Sequence, residues 1–382
     1  MSDARPLRVL VLAERLDIAG GVERFVCALA NRLAAEGMAV TVGTVDTARE
    51  AVRYALAPSV TLRRARDPLP TPSREGEGGR ASRAWRLLRA QWRTGRALAR
   101  LTREADPDAV VLNGLTTACS ALLFHRGHAA RTICCDHNHF DARSGLWRRL
   151  RRRLYPAVGA VVSLTEADAA RFRALNPRTH VIHNASMLRA DAPANPAALR
   201  VLAVGRFVAQ KGVDLLLRAW PEVLRAQPDA SLRIVGDGPE RDALHALAGE
   251  LGVEGRVQWC APTPDIARHY REAAVFVLPS RYEGMPLALL EAQALGVPSV
   301  AFDCPTGPAE ILDDETGVLV PPGDVPALAA ALARLLADPA LRARMGRAAI
   351  ARSRSRFSPE AHDARWIALV REVAAAPARA PA

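Results

Sequence analysis

The stretch Ser280-Arg-Tyr-Glu-Gly-Met-Pro-Leu-Ala-Leu-Leu-Glu-Ala292 predicts a turn between a strand and a helix. An apolar run at 273–278 precedes it and is typical of a buried strand, and the apolar segment 287–295 is typical of a helix. Gly284 permits backbone angles that other residues resist, and Pro286 suits the first helical turn. The unpaired amides and the positive dipole end of such a helix form a ready site for phosphate.

Two carboxylates accompany this helix start, Glu283 in the loop and Glu291 more than a turn inside the helix. A carboxylate accepts hydrogen bonds from several sugar hydroxyls, so one glutamate can hold a hexose and the other a ribose. We expect both carboxylates to face one cleft from different depths. The alternative is a carboxylate that pairs with the helix dipole, next to an ordinary surface glutamate.

The arrangement of Ser-x-x-Glu, seven residues and Glu, with Gly and Pro between, resembles the donor-site signature of family 4 retaining glycosyltransferases. The resemblance covers nearly the whole chain and is strongest at 200–322. It implies the GT-B fold, in which two Rossmann-like, doubly wound α/β domains face each other across a cleft. It also implies that this stretch binds the donor through Glu283, Gly284, Met285, Pro286, Leu287 and Glu291.

Length and composition agree with two ordinary domains, since 382 residues with 49% hydrophobic side chains can build two cores. The expected domains are an acceptor-binding domain at 1–185, a linker at 186–198, a nucleotide-sugar domain at 199–357 and a final helix at 358–376 that returns to the first domain. Further apolar runs typical of buried strands occur at 7–13, 39–45, 109–112, 132–135, 160–164, 180–183, 199–204, 232–235, 257–260 and 297–302. Residues 68–80 have the composition of a surface loop.

The expected location is the cytoplasm, peripheral at the inner face of the plasma membrane. The six cysteines form no metal-binding pattern and fit a reducing compartment. The N-terminal apolar run is too short for a signal peptide, and no run of about 18 apolar residues predicts a membrane span.

Charge is distributed unevenly, because residues 1–185 contain 30 arginines against 17 Asp and Glu, and the remainder is nearly neutral. Arginines recur every three or four residues at 83–103, and a second cluster lies at 143–153, both typical of basic amphipathic helices. Such helices either lie on an anionic membrane or form a solvated face. The residues assigned to the acceptor or membrane surface here are Arg86, Arg89, Trp92, Arg93, Arg148, Arg149 and Arg152. No nucleic-acid motif accompanies the charge, so no nucleic-acid partner is expected.

Lys211 is the single lysine among 52 basic residues, which indicates a position where the planar fork of arginine does not fit. Together with Gly205 and Arg206 it lies between a predicted strand and a predicted helix, a sensible diphosphate clamp. The alternative is two surface cations in an ordinary turn. Arg206 and Lys211 match the pyrophosphate-binding pair of the family, and the resemblance places Gly236 and Gly238 near the nucleotide.

Two turns of the first domain are further candidates. Gly20 and Gly21 follow the first strand without a Gly-x-Gly-x-x-Gly pattern, so a dehydrogenase-type site is not expected, although their backbone can approach a phosphate. Asp136, His137 and Asn138 follow a buried strand at the edge where open α/β sheets bind ligands. By resemblance, His137 contacts the reacting centre with Asp136 beside it. For Gly20 and Gly21 the alternative is a plain tight turn. For residues 136–138 it is a loop capped by polar residues.

The resemblance implies transfer of a hexose or N-acetylhexosamine from a UDP-sugar to a hydroxyl of a glycan or lipid-linked acceptor, with the α configuration retained. The segment 303–310 resembles a variant found in enzymes that build lipopolysaccharide, capsule or lipid-linked oligosaccharide. The groups expected at the reaction are Glu283, Arg206, Lys211 and His137, and amides near Gly20, Gly21 and Met285 would stabilise the leaving diphosphate. The donor's own phosphate oxygen would act as the base.

No cofactor and no metal are expected, because the two cations Arg206 and Lys211 can take the role of a metal. Two alternatives remain open. One is a sugar-nucleotide epimerase, which shares the fold. The other is a peripheral membrane-binding protein with a vestigial donor site.

Overall fold

The computed structural model describes residues 5–18, 20–45, 49–65, 80–125, 127–193 and 199–376. The side chains of residues 49, 80–88 and 90 also lie outside this description. The loop predicted at 68–80 lies outside the described residues, apart from the backbone of Arg80. The last part of the predicted linker, 194–198, lies outside them too.

The chain divides into two compact units, each with one parallel sheet. The first unit comprises Met1–Ile182 and Asp363–Ala382, and the second comprises His183–His362. These bounds differ by a few residues from the domain limits expected from the sequence. In particular, residues 183–193 group with the second unit.

The first unit is a seven-stranded sheet with flanking helices, and its strand order is β3-β2-β1-β4-β5-β6-β7. The strands are β1 (Arg8–Leu12), β2 (Ala39–Thr44), β3 (Thr61–Arg64), β4 (Ala109–Asn113), β5 (Thr132–Cys135), β6 (Ala160–Ser163) and β7 (Thr179–Val181). The helices are α1 (Gly21–Ala35), α2 (Arg80–Ala105), α3 (Leu115–Phe124), α4 (Gly145–Leu154) and α5 (Glu166–Arg173). Continuous apolar runs form the central strands because those strands are covered on both faces. The edge strand β3 is mostly exposed and has no such run, so the pattern did not predict it.

The second unit is a six-stranded sheet with the order β10-β9-β8-β11-β12-β13. Its strands are β8 (Arg200–Val204), β9 (Ser231–Val235), β10 (Val257–Cys260), β11 (Val275–Leu278), β12 (Ser299–Phe302) and β13 (Gly317–Val320). Its helices are α6 (Val213–Ala226), α7 (Arg241–Glu250), α8 (Ile266–Arg271), α9 (Leu287–Ala294), α10 (Pro308–Ile311), α11 (Val325–Ala337) and α12 (Pro339–Arg356). The prediction of two doubly wound α/β sheets is confirmed.

Each sheet has one point where the direction of strand addition reverses. In the first sheet the chain adds β2 and β3 on one side of β1 and then returns to add β4 on the other side. In the second sheet it adds β9 and β10 beside β8 and then returns to add β11. Loops that follow the strands on either side of such a switch point leave a crevice between them, where open α/β sheets bind ligands.

The last helix, α13 (Pro359–Ala375), contributes to the core of the first unit from Asp363 onward. Trp366 is fully buried there, and its ring packs against Phe25 of α1 with 5.4 Å between ring centroids. Among the described residues, no helix combines the length and the apolar character that a membrane crossing requires.

Candidate active site

Lys211 and Glu283 meet at the switch point of the second sheet. Lys211 lies in the loop after β8 and Glu283 in the loop after β11, and their Nζ and Oε1 atoms are 2.6 Å apart. The hydroxyl of Ser280 donates to the same Oε1 at 2.6 Å. Glu283 is buried and Lys211 is half-buried, so water screens this ion pair less than a surface pair. The single lysine of the chain is therefore bonded to one of the two predicted glutamates.

A glycine brings these two loops together. Gly212 has φ +64°, and a Cβ at this position would lie 1.9 Å from the carbonyl oxygen of Pro279. No other residue fits such an approach. The Gln210 side chain then donates to the Tyr282 carbonyl at 3.0 Å, and the Arg281 amide donates to the Gln210 carbonyl at 2.8 Å.

An ion pair holds the same two segments from the solvent side. Arg281 makes bonds of 2.8 and 2.7 Å to the two carboxylate oxygens of Asp214, in the first turn of α6. The hydrogen bonds from Arg281 are the main reason that the pKa of Asp214 is lowered. Arg281 also donates to the carbonyl of Ala209 at 2.7 Å. The turn that carries Glu283 is thus fixed to the loop that carries Lys211.

Residues 283–286 are buried, and two of their carbonyl groups are bonded to other parts of the chain. Thr306 donates to the Glu283 carbonyl at 2.9 Å, and Asn184 donates to the Met285 carbonyl at 3.0 Å. By contrast, the amides of Glu283 and Gly284 donate to no other described residue. Buried amides normally have a partner, so these two donors are available to a ligand.

The predicted helix start needs a small correction. The helix begins at Leu287, and Pro286 precedes it as the N-cap with φ −70° and ψ 111°, so it is not part of the first helical turn. The extended ψ angle of Pro286 keeps the residues before it outside the helix. Burial raises the pKa of the nearby Cys304 thiol to about 12, which keeps this thiol protonated at neutral pH.

The predicted phosphate-binding cations lie on one βα turn but differ in their surroundings. The stem of Lys211 packs on Gly205, where a Cβ would lie 3.4 Å from the lysine Cγ and Cδ atoms. Arg206, which follows Gly205 in the sequence, is exposed and makes no ion pair with any residue that the structure describes. The turn after β9 packs on this loop, because a Cβ on Gly236 would lie 1.9 Å from the Gly205 carbonyl and one on Gly238 would lie 2.5 Å from the Phe207 carbonyl. The predicted glycines and cations of the second unit are thus brought together.

Glu291 lies inside α9 and is buried. Its Oε2 accepts a hydrogen bond of 2.9 Å from the hydroxyl of Tyr270, which is itself fully buried at the end of α8. A carboxylate has room for several donors, so this bond fixes the orientation of Glu291 and leaves acceptor capacity for a ligand.

In the first unit, His137 lies beside the switch point. Its Nε2 is 2.9 Å from Oδ1 of Asn113, and the Asn113 amide donates to the Leu12 carbonyl at the end of β1. Because Oδ1 can only accept, the His137 Nε2 carries the proton and Nδ1 has a lone pair. Burial lowers the pKa of His137 to about 4, so the imidazole is neutral at ordinary pH. Phe25 packs edge-on against the ring.

Asp136 lies beneath this histidine in a buried ion pair. One oxygen accepts from Arg151 at 3.0 Å and the other accepts from the Tyr155 hydroxyl at 2.7 Å. The Arg151 side chain is 1% exposed and lies 3.5 Å above the Phe140 ring. Burial raises the pKa of Asp136, and the charge of Arg151 opposes this shift. Both oxygens of Asp136 thus have protein partners. Asn138, the third residue predicted at this turn, is half-buried.

The Gly20-Gly21 turn begins α1, with Gly20 as the N-cap. A Cβ on Gly20 would lie 2.2 Å from the Glu23 carboxylate, so this acid lies against the helix start. A phosphate at that place, as predicted from the sequence, would approach a carboxylate. The structure therefore adds an acidic neighbour that the glycine pattern does not reveal.

The two basic segments form α2 and α4, which both pack against α3. Arg89, Arg93, Arg149 and Arg152 are exposed and make no ion pair within the described chain. Arg148 instead pairs with Asp141 at 3.1 Å. Trp92 is 49% exposed, and the side chain of Arg86 lies outside the described residues.

Sequence patterns missed the residues that support the predicted ones. Thr306, Asn184 and Tyr270 contact the two glutamates or the turn that carries them, and Arg151 and Tyr155 hold Asp136. All are common residue types, and most lie far from their partners in sequence. No local signal distinguishes them from other buried polar residues.

Two family models match the chain. The model "Glycosyltransferase Family 4" matches residues 19–185, and the model "Glycosyl transferases group 1" matches residues 198–338. Each match lies almost entirely within one of the two units.

Curated relatives agree with the family models. The amylovoran biosynthesis glycosyltransferase AmsD of Erwinia amylovora is 28% identical over 373 residues, which are 94% of this chain and 98% of the relative. An uncharacterized glycosyltransferase of Haemophilus influenzae is 31% identical over 254 residues, which are 64% of this chain and 71% of the relative.

A solved structure supports the fold. TarM of S. aureus, in a complex with fondaparinux, α-GlcNAc-glycerol and UDP, superimposes with a TM-score of 0.77 at 13% identity, covering 95% of this chain and 99% of that one. At this identity the likeness concerns the fold alone. With both family models and these relatives in agreement, the chain belongs to the group 1, family 4 glycosyltransferases and has the GT-B fold.

Proposed function

We propose that this protein is a retaining glycosyltransferase that moves a hexose or N-acetylhexosamine from a UDP-sugar to a hydroxyl of a glycan or lipid-linked acceptor in surface polysaccharide or glycolipid synthesis. The observation that carries the proposal is the Lys211–Glu283 pair next to the amides of two buried residues, Glu283 and Gly284, which have no acceptor among the described residues. A cation, a carboxylate and amide donors are the groups that bind a phosphate and a sugar together.

Lys211 connects the two ends of the donor. Its ammonium has three N–H donors, so it keeps the bond to Glu283 and still donates to a diphosphate oxygen. The carboxylate of Glu283 then accepts from hydroxyls of the transferred sugar. The position of the sugar relative to the leaving group is thereby set by one short ion pair.

The leaving diphosphate gains charge in the transition state, and Arg206 and Lys211 stabilise that charge. Arg206 is exposed and has no competing ion pair among the described residues, so it is ready for a phosphate. These cations support a reaction that needs no metal ion. Glu291, fixed by Tyr270, is proposed to bind the ribose.

Two names among the similar proteins support the choice of substrates. The TarM complex contains UDP and α-GlcNAc-glycerol, which favours a UDP-sugar donor. The name of AmsD refers to the biosynthesis of amylovoran, which favours a polysaccharide acceptor.

On the acceptor side, His137 is proposed to accept a hydrogen bond from the attacking hydroxyl through Nδ1. The histidine is neutral and its Nε2–H is bonded to Asn113, so the lone pair on Nδ1 is the one directed to a ligand. The proton itself goes to the phosphate oxygen of the donor, and His137 orients the nucleophile.

The test is release of free nucleotide by the purified chain from a panel of UDP-, GDP- and ADP-sugars, in EDTA, with a membrane lipid extract as the acceptor source. We expect release from one UDP-sugar that depends on the lipid and is lost in Lys211→Ala. A strict requirement for Mn²⁺ or Mg²⁺ would contradict the metal-free reaction. Conversion of the sugar without a transferred glycoside would indicate an epimerase, and lack of any nucleotide binding would overturn the proposal.

We further propose that the basic face, defined as Arg89, Trp92, Arg93, Arg149 and Arg152, lies on an anionic membrane. Its four arginines are exposed without ion pairs to described residues, and Trp92 of α2 and Leu146 of α4 are 49% and 55% exposed. A basic surface with exposed apolar side chains is typical of peripheral membrane binding, which gains on the order of 1 kcal/mol per basic residue.

This second proposal is tested by sedimentation with phosphatidylglycerol vesicles at low and high salt. Binding should weaken with salt and with Arg89→Gln, Arg93→Gln, Arg149→Gln and Arg152→Gln combined. The matched control neutralises four exposed arginines of the other unit, Arg218, Arg256, Arg344 and Arg347. Equal binding by both variants would rule out the basic face.

A further inference from the structure

Thr306 has a backbone conformation that its side chain disfavours. It has φ +64°, and Asp106 is the only other non-glycine residue with a positive φ among the residues that the structure describes. For a β-branched residue this region is a steric outlier. Such strain persists only where the surroundings impose it, and it is concentrated at functional sites.

The strained residue contacts the turn that carries Glu283. The Thr306 hydroxyl donates to the Glu283 carbonyl at 2.9 Å. The next residue, Gly307, has φ +94°, and a Cβ there would lie 2.5 Å from the Gly284 carbonyl and 2.8 Å from Pro286 Cδ. The loop after β12 is therefore packed directly against the turn 283–286, with no space for adjustment.

This hydrogen bond sets the direction of an amide. In a trans peptide the carbonyl of one residue and the N–H of the next point in opposite directions within one plane. Because Thr306 holds the Glu283 carbonyl, the N–H of Gly284 points away from Thr306, and it donates to no described residue. Gln210 holds the Tyr282 carbonyl in the same way, which orients the N–H of Glu283.

We propose that Thr306 is a positioning residue for the donor sugar: its strained backbone places its hydroxyl under the Glu283 carbonyl and thereby orients both the Gly284 amide and the Glu283 side chain. The inference rests on the proposed function, since the oriented groups act on the transferred sugar. The strain is the consequence of placing this hydroxyl, so that loss of the hydroxyl is expected to lower turnover and relief of the strain is expected to preserve stability.

The test compares three variants with the donor selected from UDP-glucose, UDP-galactose and UDP-N-acetylglucosamine. Thr306→Val keeps the shape and the β-branch but has no hydroxyl, Thr306→Ser keeps the hydroxyl, and Thr306→Gly removes both the hydroxyl and the strain. We expect kcat/KM for the UDP-sugar to fall about tenfold in the valine and glycine variants, the effect of one lost hydrogen bond. The serine variant should stay within about twofold of the wild type, and the Kd of UDP alone should be unchanged in all three.

The melting temperature distinguishes positioning from a merely structural role. Thr306→Gly should melt close to the wild-type temperature, because relief of the left-handed strain offsets the lost hydrogen bond and the flexibility of glycine in the unfolded chain. Wild-type kcat/KM in Thr306→Val would overturn the inference, and so would an equal loss in Thr306→Ser. A lower melting temperature of Thr306→Gly together with weaker UDP binding would show a structural role instead. Absence of turnover by the wild type would overturn the proposed function and this inference with it.

Discussion

The two switch points of this molecule have the same topology and opposite chemistry. In the second sheet a short ion pair, Lys211–Glu283, joins the loops after β8 and β11. In the first sheet a neutral pair, His137–Asn113, joins the ends of β5 and β4. The side-chain amide of Asn113 also donates to the Leu12 carbonyl at the end of β1. Topology determines where ligands bind, and charge determines which reagent each place can hold. The charged Lys211–Glu283 pair suits a diphosphate, and the neutral His137–Asn113 pair suits a hydroxyl.

The two places also differ in how they are supported. Around Glu283 the support comes from hydrogen bonds of Ser280 and Thr306 and from the ion pair of Arg281 with Asp214. Beneath His137 the support is a buried ion pair and aromatic packing. A site held by many weak contacts and one held by a single buried charge pair should respond differently to substitution.

The largest expected effect is on the stability of the first unit. Arg151→Met leaves Asp136 buried without its cation and should lower the free energy of unfolding by roughly 3–5 kcal/mol. Equilibrium denaturation with urea measures this, and Arg152→Met, at the exposed neighbouring residue, is the control and should change little. The double variant with Asp136→Asn should recover part of the loss. A stable Arg151→Met protein would mean that the pair does not support this site.

The next effect concerns the ion pair of the second unit. Lys211→Ala should lower kcat by roughly 100- to 1000-fold, because a cation next to the developing charge is lost. Lys211→Arg should not restore activity, since its wider planar group must replace a stem packed on Gly205. Steady-state nucleotide release measures both, with Arg218→Ala on the exposed face of α6 as the control. Full activity of the arginine variant would contradict the assigned geometry.

A smaller effect distinguishes the two glutamates. Glu283→Ala should lower turnover much more than UDP affinity, and Glu291→Ala should chiefly weaken UDP, by about tenfold for a lost hydrogen bond. Calorimetric titration with UDP and kinetics with the UDP-sugar separate the two quantities. Tyr270→Phe should repeat a weaker form of the Glu291 effect, because it releases that carboxylate. The reverse pattern would exchange the two roles.

A last effect is the dependence of stability on pH that His137 introduces. Its pKa is lowered from 6.5 to about 4, so between these values the unfolded chain binds more protons than the folded chain. The stability that His137 contributes is complete above about pH 6.5 and is lost as the pH falls toward 4. His137→Gln should therefore flatten part of this dependence in denaturation curves measured across the window. If the free energy of unfolding changed with pH in the same way in the wild type and in His137→Gln, the histidine would not be buried as a neutral group.

Local patterns predicted much of the fold. The continuous apolar runs became buried strands, because parallel strands covered on both faces need apolar residues throughout. The exposed edge strand β3 escaped prediction for the converse reason. Within the site, Lys211 was identified by its rarity and the two glutamates by their spacing. The Lys211–Glu283 bond was not predicted, since its partners are 72 residues apart.

By itself, the sequence determined two parallel α/β sheets, the turn at Glu283 and the family to which the chain belongs. Apolar periodicity, glycine and proline act over a few residues, so a linear pattern contains them. Only the tertiary structure decided that Lys211 bonds Glu283, that Arg151 is buried in an ion pair with Asp136, and that the strained Thr306 contacts the turn 283–286. Those contacts depend on strand order, which brings distant loops to one edge of a sheet.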